Sequence, residues 1–162
     1  GIREYLNELD TNLSILDSSI RTGNSMADAI LNSKVSLAKA REIDVRVDAH
    51  IPVKLKISEI DLCCILGNLF DNAIDASMAL PPQNRLIRVY MDMKGSRLYI
   101  SFTNFTAQKK LGKLGRVFAT TKGLGHGLGL SRIENIVEKH DGYLSFNSED
   151  GAFTAEILLP QE

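Results

Sequence analysis

Between Leu62 and Leu80 the chain carries no Lys, Arg or Glu, and its only charges are Asp71 and Asp75. Ser58 followed by Asp61 has the form of a helix start, and Pro81-Pro82 is a stop, so a helix is predicted over 58–79. At about 100° per residue, Asn68, Asp71, Asn72 and Asp75 fall at about 0°, 300°, 40° and 340°, one stripe about 100° wide. Leu62, Ile65, Leu66, Leu69, Phe70, Ala73 and Ile74 take nearly all the remaining circumference. A solvent-facing helix shows a broad face of long charged side chains. This helix is instead buried around a narrow seam of amides and carboxylates.

The rest of the chain can supply such a setting. Its 162 residues suffice for one domain and a short appendage, with 44% apolar and 24% charged residues, as in an ordinary globule. Disorder, collagen and disulfide-scaffold classes are excluded. Nineteen basic and twenty acidic residues leave a charge of −1, which gives no basis for general binding to nucleic acid or anionic lipid. The longest uncharged stretch, Leu98–Gln108, is far short of the roughly 20 apolar residues of a membrane span. Arg3, Glu4 and Glu8 rule out a secretory signal at the start. The neighbouring Cys63 and Cys64 read as reduced core residues, implying a reducing, cytoplasmic setting.

Ile2, Leu6, Leu9, Leu13, Leu16 and Ile20 step by 4, 3, 4, 3 and 4, the seam of a bundle or coiled coil. The pattern begins without a capping residue, as if the helix continued upstream. After the breaker Thr22–Ser25, a helix is predicted over 26–41, with Met26, Ala29, Ile30, Leu37 and Ala38 inward. Ile43, Val45 and Val47 then alternate with charges, a half-buried strand. Val53–Ile57 is predicted as a further short strand. Two strands, about 86–93 and 97–104, form a hairpin at Lys94-Gly95-Ser96. A long loop spans 105–125, a helix about 127–140, and a second hairpin joins Tyr143–Asn147 to Phe153–Leu159. Antiparallel pairs with one polar face favour a two-layer α/β sandwich, its mixed, mostly antiparallel sheet packed on helices, over a doubly wound sheet.

Two segments carry the chemistry. Oxygen donors on a rigid helix suit Mg²⁺, which takes one or two protein oxygens and completes its shell with phosphate and water. A solvated edge or an internal hydrogen-bond network would use the same residues. From Met93 to Ile133 there is no acidic residue but eight basic ones, Lys94, Arg97, Lys109, Lys110, Lys113, Arg116, Lys122 and Arg132. Within that basic stretch, Gly125-His126-Gly127-Leu128-Gly129-Leu130 opens a helix, whose free N–H groups and dipole attract phosphate. The pattern is neither GxGxxG nor GxxxxGK[ST], so Rossmann and P-loop readings fail. Together the two segments point to a magnesium–nucleotide phosphate site.

Over about residues 42–159 the sequence resembles the GHKL ATPase superfamily, whose fold is the two-layer Bergerat sandwich. Ile65–Ala76 resembles the N box of histidine kinases, Phe118–Gly123 their F box and lid lysine, and Gly125–Leu130 their second glycine box. Thr22-Gly23-Asn24, with Asp28-Ala29-Ile30-Leu31-Asn32-Ser33-Lys34, resembles the region ahead of the catalytic domain in the quorum-sensing, accessory gene regulator-like branch. The resemblance implies a catalytic ATP-binding domain at 42–162 and, at 1–41, a remnant of the dimerisation and phosphotransfer helices with their linker.

It further implies that Asn72 holds Mg²⁺, and that Asn68 and Lys122 are the catalytic positions. Asn68 stands where gyrase-like relatives carry a glutamate base. An amide is a poor base, which favours phosphoryl transfer to a partner over hydrolysis. The implied nucleotide-binding set is Asn68, Asn72, Asp75, Asn104, Thr121, Lys122, Gly125, His126, Gly127, Leu128 and Gly129. Two departures stand out. Asn104 replaces the aspartate of a first glycine box that is otherwise missing, and Asp75 stands where many kinases have a lysine. The implied cofactors are ATP and Mg²⁺. The implied partners are a phosphoacceptor helix outside this chain, a response regulator, and a second copy through helix 2–20, with a membrane reached only through an upstream region. The acceptor is not His140, whose place before Gly142 suits a helix C-terminus. The alternative is a degenerate interaction module without kinase activity.

Overall fold

The computed structural model describes residues 20–107 and 127–161. The seam at 2–20 lies outside them except for Ile20, which is buried. Helix α1 (Ser25–Ala40) leads to strand β1 (Asp44–Ala49), helix α2 (Glu59–Ser77), strands β2 (Leu86–Lys94) and β3 (Arg97–Phe105), helix α3 (Gly127–Lys139), and strands β4 (Tyr143–Glu149) and β5 (Ala152–Pro160). The five strands form one sheet in the order β1-β2-β3-β5-β4. Only the β1–β2 pair is parallel, and α2 lies in the connection between those strands, so the expected mixed, mostly antiparallel two-layer sandwich is present.

Alternation decides which face meets the helices. Ile87, Val89 and Met91 of β2, Leu98, Ile100 and Phe102 of β3, and Ala155, Ile157 and Leu159 of β5 are buried on one side of the sheet. Register puts Val89 opposite Phe102, and Phe102 opposite Ala155. The α2 helix lies on this face, with Phe70 meeting Phe102 edge to face at 5.2 Å between ring centroids. Leu62, Ile65, Leu66, Leu69, Phe70, Ala73 and Ile74 are all buried, as the seam pattern requires.

The first helix differs from expectation. Its buried face is Ala27, Leu31, Val35 and Ala38. Met26, Ala29 and Leu37 are exposed, and Ile30 is only partly covered. Small Ala27 and Ala38 let α1 settle into the core, which leaves the larger Met26 and Leu37 on the rim. Nor is Val53–Ile57 a strand. The Lys56 and Ile57 N–H groups donate to the Gln161 side-chain oxygen, at 2.7 and 3.4 Å, instead of to a neighbouring ladder. Cys63 and Cys64 are free but half-buried, not core residues.

Turns and caps follow local chemistry. Ser58 Oγ accepts the Asp61 N–H at 3.1 Å and starts α2. Gly95 and Gly151, at φ 62° and 83°, close the two hairpins. Both α1 and α3 end on a left-handed acidic residue, Glu42 and Asp141. The next residue's N–H reaches back to Ala38 in one case and Val137 in the other, closing both helix ends alike. The Thr22–Lys34 segment is a clasp. The Thr22 N–H and hydroxyl both donate to Asp28 Oδ1, Asn24 caps α1 at Ala27, and the Asn24 amide reaches the carbonyls of Pro52 and Val53.

Candidate functional site

The seam of α2 divides between two neighbours. Asp71 turns to α1, where Lys34 Nζ lies 2.7 Å from its Oδ1. Asn68 turns to α3. Its Nδ2 donates to the Cys64 carbonyl at 2.7 Å and to Cys64 Sγ at 3.3 Å, one turn back on its own helix. Its Oδ1 faces Gly129, where an added Cβ would stand only 2.7 Å away. The missing side chain at Gly129 therefore lets the start of α3 close onto the seam. Gly127, Leu128 and Gly129 are all inside α3, so these members of the glycine box belong to the helix's first turn and not to a loop before it.

Asn72 is half-buried, and its Nδ2 is buried without a partner among the described residues. A side-chain amide left unsatisfied inside a protein is costly, so a partner from outside the described residues is called for. Asp75 is exposed at the next turn of the same stripe. Asn104 sits at the end of β3, buried on the same face as Phe102, with its amide donating to the Phe105 carbonyl at 3.0 Å. Thr121, Lys122, Gly125 and His126 lie outside the described residues, as does most of the basic loop.

The far ends of the same two helices are tied together. Asp61 in the first turn of α2 receives Lys139 Nζ at 2.9 Å and meets His140 Nε2 at 3.0 Å from the end of α3. The His140 contact, then that of Lys139, holds the Asp61 carboxyl below the usual carboxylate range. His140 thus has the helix C-terminal place expected of it, together with a partner 79 residues away that the sequence did not reveal. Gly142 follows because a Cβ there would meet the Leu158 carbonyl at 2.6 Å.

No group of three or more His, Cys, Asp or Glu gathers among the described residues, so no all-protein metal cage exists there. The donors on the seam are amide oxygens and two exposed carboxylates, of which Asp71 is paired with Lys34. That set fits a hard cation whose remaining ligands are phosphate and water, with Asn72 offering its side-chain oxygen to the metal and its Nδ2 to an acceptor.

A match to the family described as the GHKL domain covers residues 57–160. This chain belongs to that family. Among curated proteins, the GHKL domain here is similar to a probable C4-dicarboxylate sensor kinase of Halalkalibacterium halodurans, at 28% identity over 86% of this chain and 28% of that protein. It is also similar to sporulation kinase C of Bacillus subtilis, at 30% identity over 69% of this chain and 28% of that protein. The chain thus spans little more than a quarter of these relatives. Among solved structures, the catalytic domain of histidine kinase ThkA matches with a TM-score of 0.69 at 16% identity, over 87% of this chain and 93% of that one. The Acinetobacter baumannii histidine kinase AdeS matches at 0.64 and 15%, over 99% of this chain and 79% of that one. At such identities the likeness establishes the fold.

Proposed function

We propose that the chain is the ATP-binding catalytic domain of a two-component sensor histidine kinase, passing the γ-phosphoryl group to a histidine on a dimerisation helix outside it. The observation that carries this reading is the contact of Asn68 with Gly129, which sets the amide-lined seam of α2 against the glycine-opened start of α3. Phosphate is drawn to the free N–H groups there. Asn72 would hold the metal, with Asn68 and Asp75 beside it on the seam. Bound Mg²⁺ supplies charge neutralisation on the phosphates. Lys122 would complement the terminal phosphates, and Asn104 would accept from the adenine amino group through its side-chain oxygen. With an amide at position 68 where a carboxylate base would stand, these residues orient and stabilise a group in transfer; they do not activate water.

The motif from Thr22 to Lys34 supports a place in the quorum-sensing branch. We divide the chain at residue 42, with 1–41 leading from the dimerisation helices, although α1 within that segment packs into the common core. Its partners would be that phosphoacceptor helix, a response regulator, and a second copy joined through residues 2–20. No described helix is long and apolar enough to cross a membrane, and we assign the domain to the cytoplasmic side of a membrane-bound sensor.

Calorimetry with Mg-ATP tests the reading. The chain should bind, and Asn72→Ala should abolish the magnesium-dependent part while leaving the thermal midpoint nearly unchanged, because its Nδ2 has no partner to lose among the described residues. No binding at millimolar nucleotide by a folded sample refutes the assignment.

A further inference from the structure

We propose that Lys34 is a positioning residue for the nucleotide site: its ammonium neutralises Asp71 and holds that carboxylate toward α1, so that the seam can receive a polyanion. The inference rests on the nucleotide reading above. A helix that is to face several phosphate charges carries two carboxylates and no base between Leu62 and Leu80. Asp71 adjoins Asn72 in the chain and lies one turn from both Asn68 and Asp75. A bare carboxylate there would repel nucleotide. The cation that offsets it comes from α1, 37 residues earlier, at 2.7 Å.

The pair is partly open to water, with 21% exposure for the Lys34 side chain and 50% for Asp71, so it contributes little to stability. Its effect falls on the site. Packing agrees, because even a Cβ on Gly67 of α2 would come only to ordinary contact distance from the Ile30 and Lys34 side chains, so the two helices leave Lys34 room to reach Asp71.

The test uses the 162-residue chain. Lys34→Met should weaken Mg-ATP binding by about tenfold, the scale of one unscreened charge beside a polyanion near a protein surface. Lys34→Arg should stay within about twofold of the parent. Lys34→Met with Asp71→Asn should recover the parent affinity, and Asp71→Asn alone should bind at least as well as the parent. Without nucleotide, the side-chain amide resonances of Asn68 and Asn72 should shift in Lys34→Met and return in the double variant. Parent-like affinity in Lys34→Met, a double variant as weak as the single one, or unmoved amide resonances would overturn the proposal while the parent still binds. A parent that takes no nucleotide removes the underlying reading, and this proposal with it.

Discussion

Gly129→Ala sets two physical effects against each other with opposite sign. Inside a helix, alanine is ordinarily favoured over glycine by about 1 kcal/mol, so propensity alone predicts a more stable protein. The structure predicts the reverse. The new methyl would lie 2.7 Å from Asn68 Oδ1 and 3.4 Å from its Cγ. Asn68 cannot swing aside freely, because its Nδ2 is held by the Cys64 carbonyl at 2.7 Å. Either that bond is lost, at about 1 kcal/mol, or α3 is pushed off α2, at the roughly 1–3 kcal/mol typical of overpacking. The net expectation is a loss of up to about 2 kcal/mol after the propensity gain is subtracted. Urea denaturation of Gly129→Ala, Asn68→Ala and the double variant measures it. The double variant should be more stable than the sum of the singles implies, by about 1–3 kcal/mol, because Asn68→Ala removes the clashing atom. A higher unfolding midpoint for Gly129→Ala, or strict additivity, refutes the close approach.

Two further outcomes follow from the geometry. Asp61→Asn should lower stability at pH 7 by about 1–2 kcal/mol, since hydrogen bonds to an ionised carboxylate are among the stronger ones. The folded carboxyl is held below its ordinary value. Its contribution is therefore complete above about pH 4 and fades as pH falls through the folded value, so the two unfolding curves should converge in acid. A constant gap down to pH 2 would contradict this. Gly23→Ala should cost more than about 2 kcal/mol, because φ is +104° and a Cβ would meet the Ile51 carbonyl at 2.6 Å. Gly95→Ala, at φ +62° in open space, should cost about 1 kcal/mol. Equal costs in the two variants' melting curves would refute that distinction.

Much of this fold was legible because its signals are local. The α2 seam, the two glycine hairpins and the alternation of β2, β3 and β5 are written in consecutive residues. Val53–Ile57 misled because its apolar spacing copies a strand, while its N–H groups are taken by a side chain more than 100 residues away. In α1 the large apolar residues pointed to the wrong face, since burial there is decided by where alanine allows close approach. Of the candidate site, the asparagines and glycines could be named from spacing, but not which neighbour each would meet. The Lys34–Asp71 and Asp61–His140 pairs span 37 and 79 positions. No local pattern encodes such pairings, and only the packing of three helices on one sheet brings them into reach.

The place of β5 has a consequence for biogenesis. It follows every other described strand in the sequence, yet it runs between β3 and β4 and hydrogen-bonds to both. Until residues 152–160 have cleared the ribosome, β3 presents an unpaired backbone edge and β4 has no partner at all. Such edges invite pairing with other chains. A stalled or truncated translation product ending before Ala152 would thus be sticky and protease-sensitive, and a chaperone that shields open strand edges would matter most before β5 emerges.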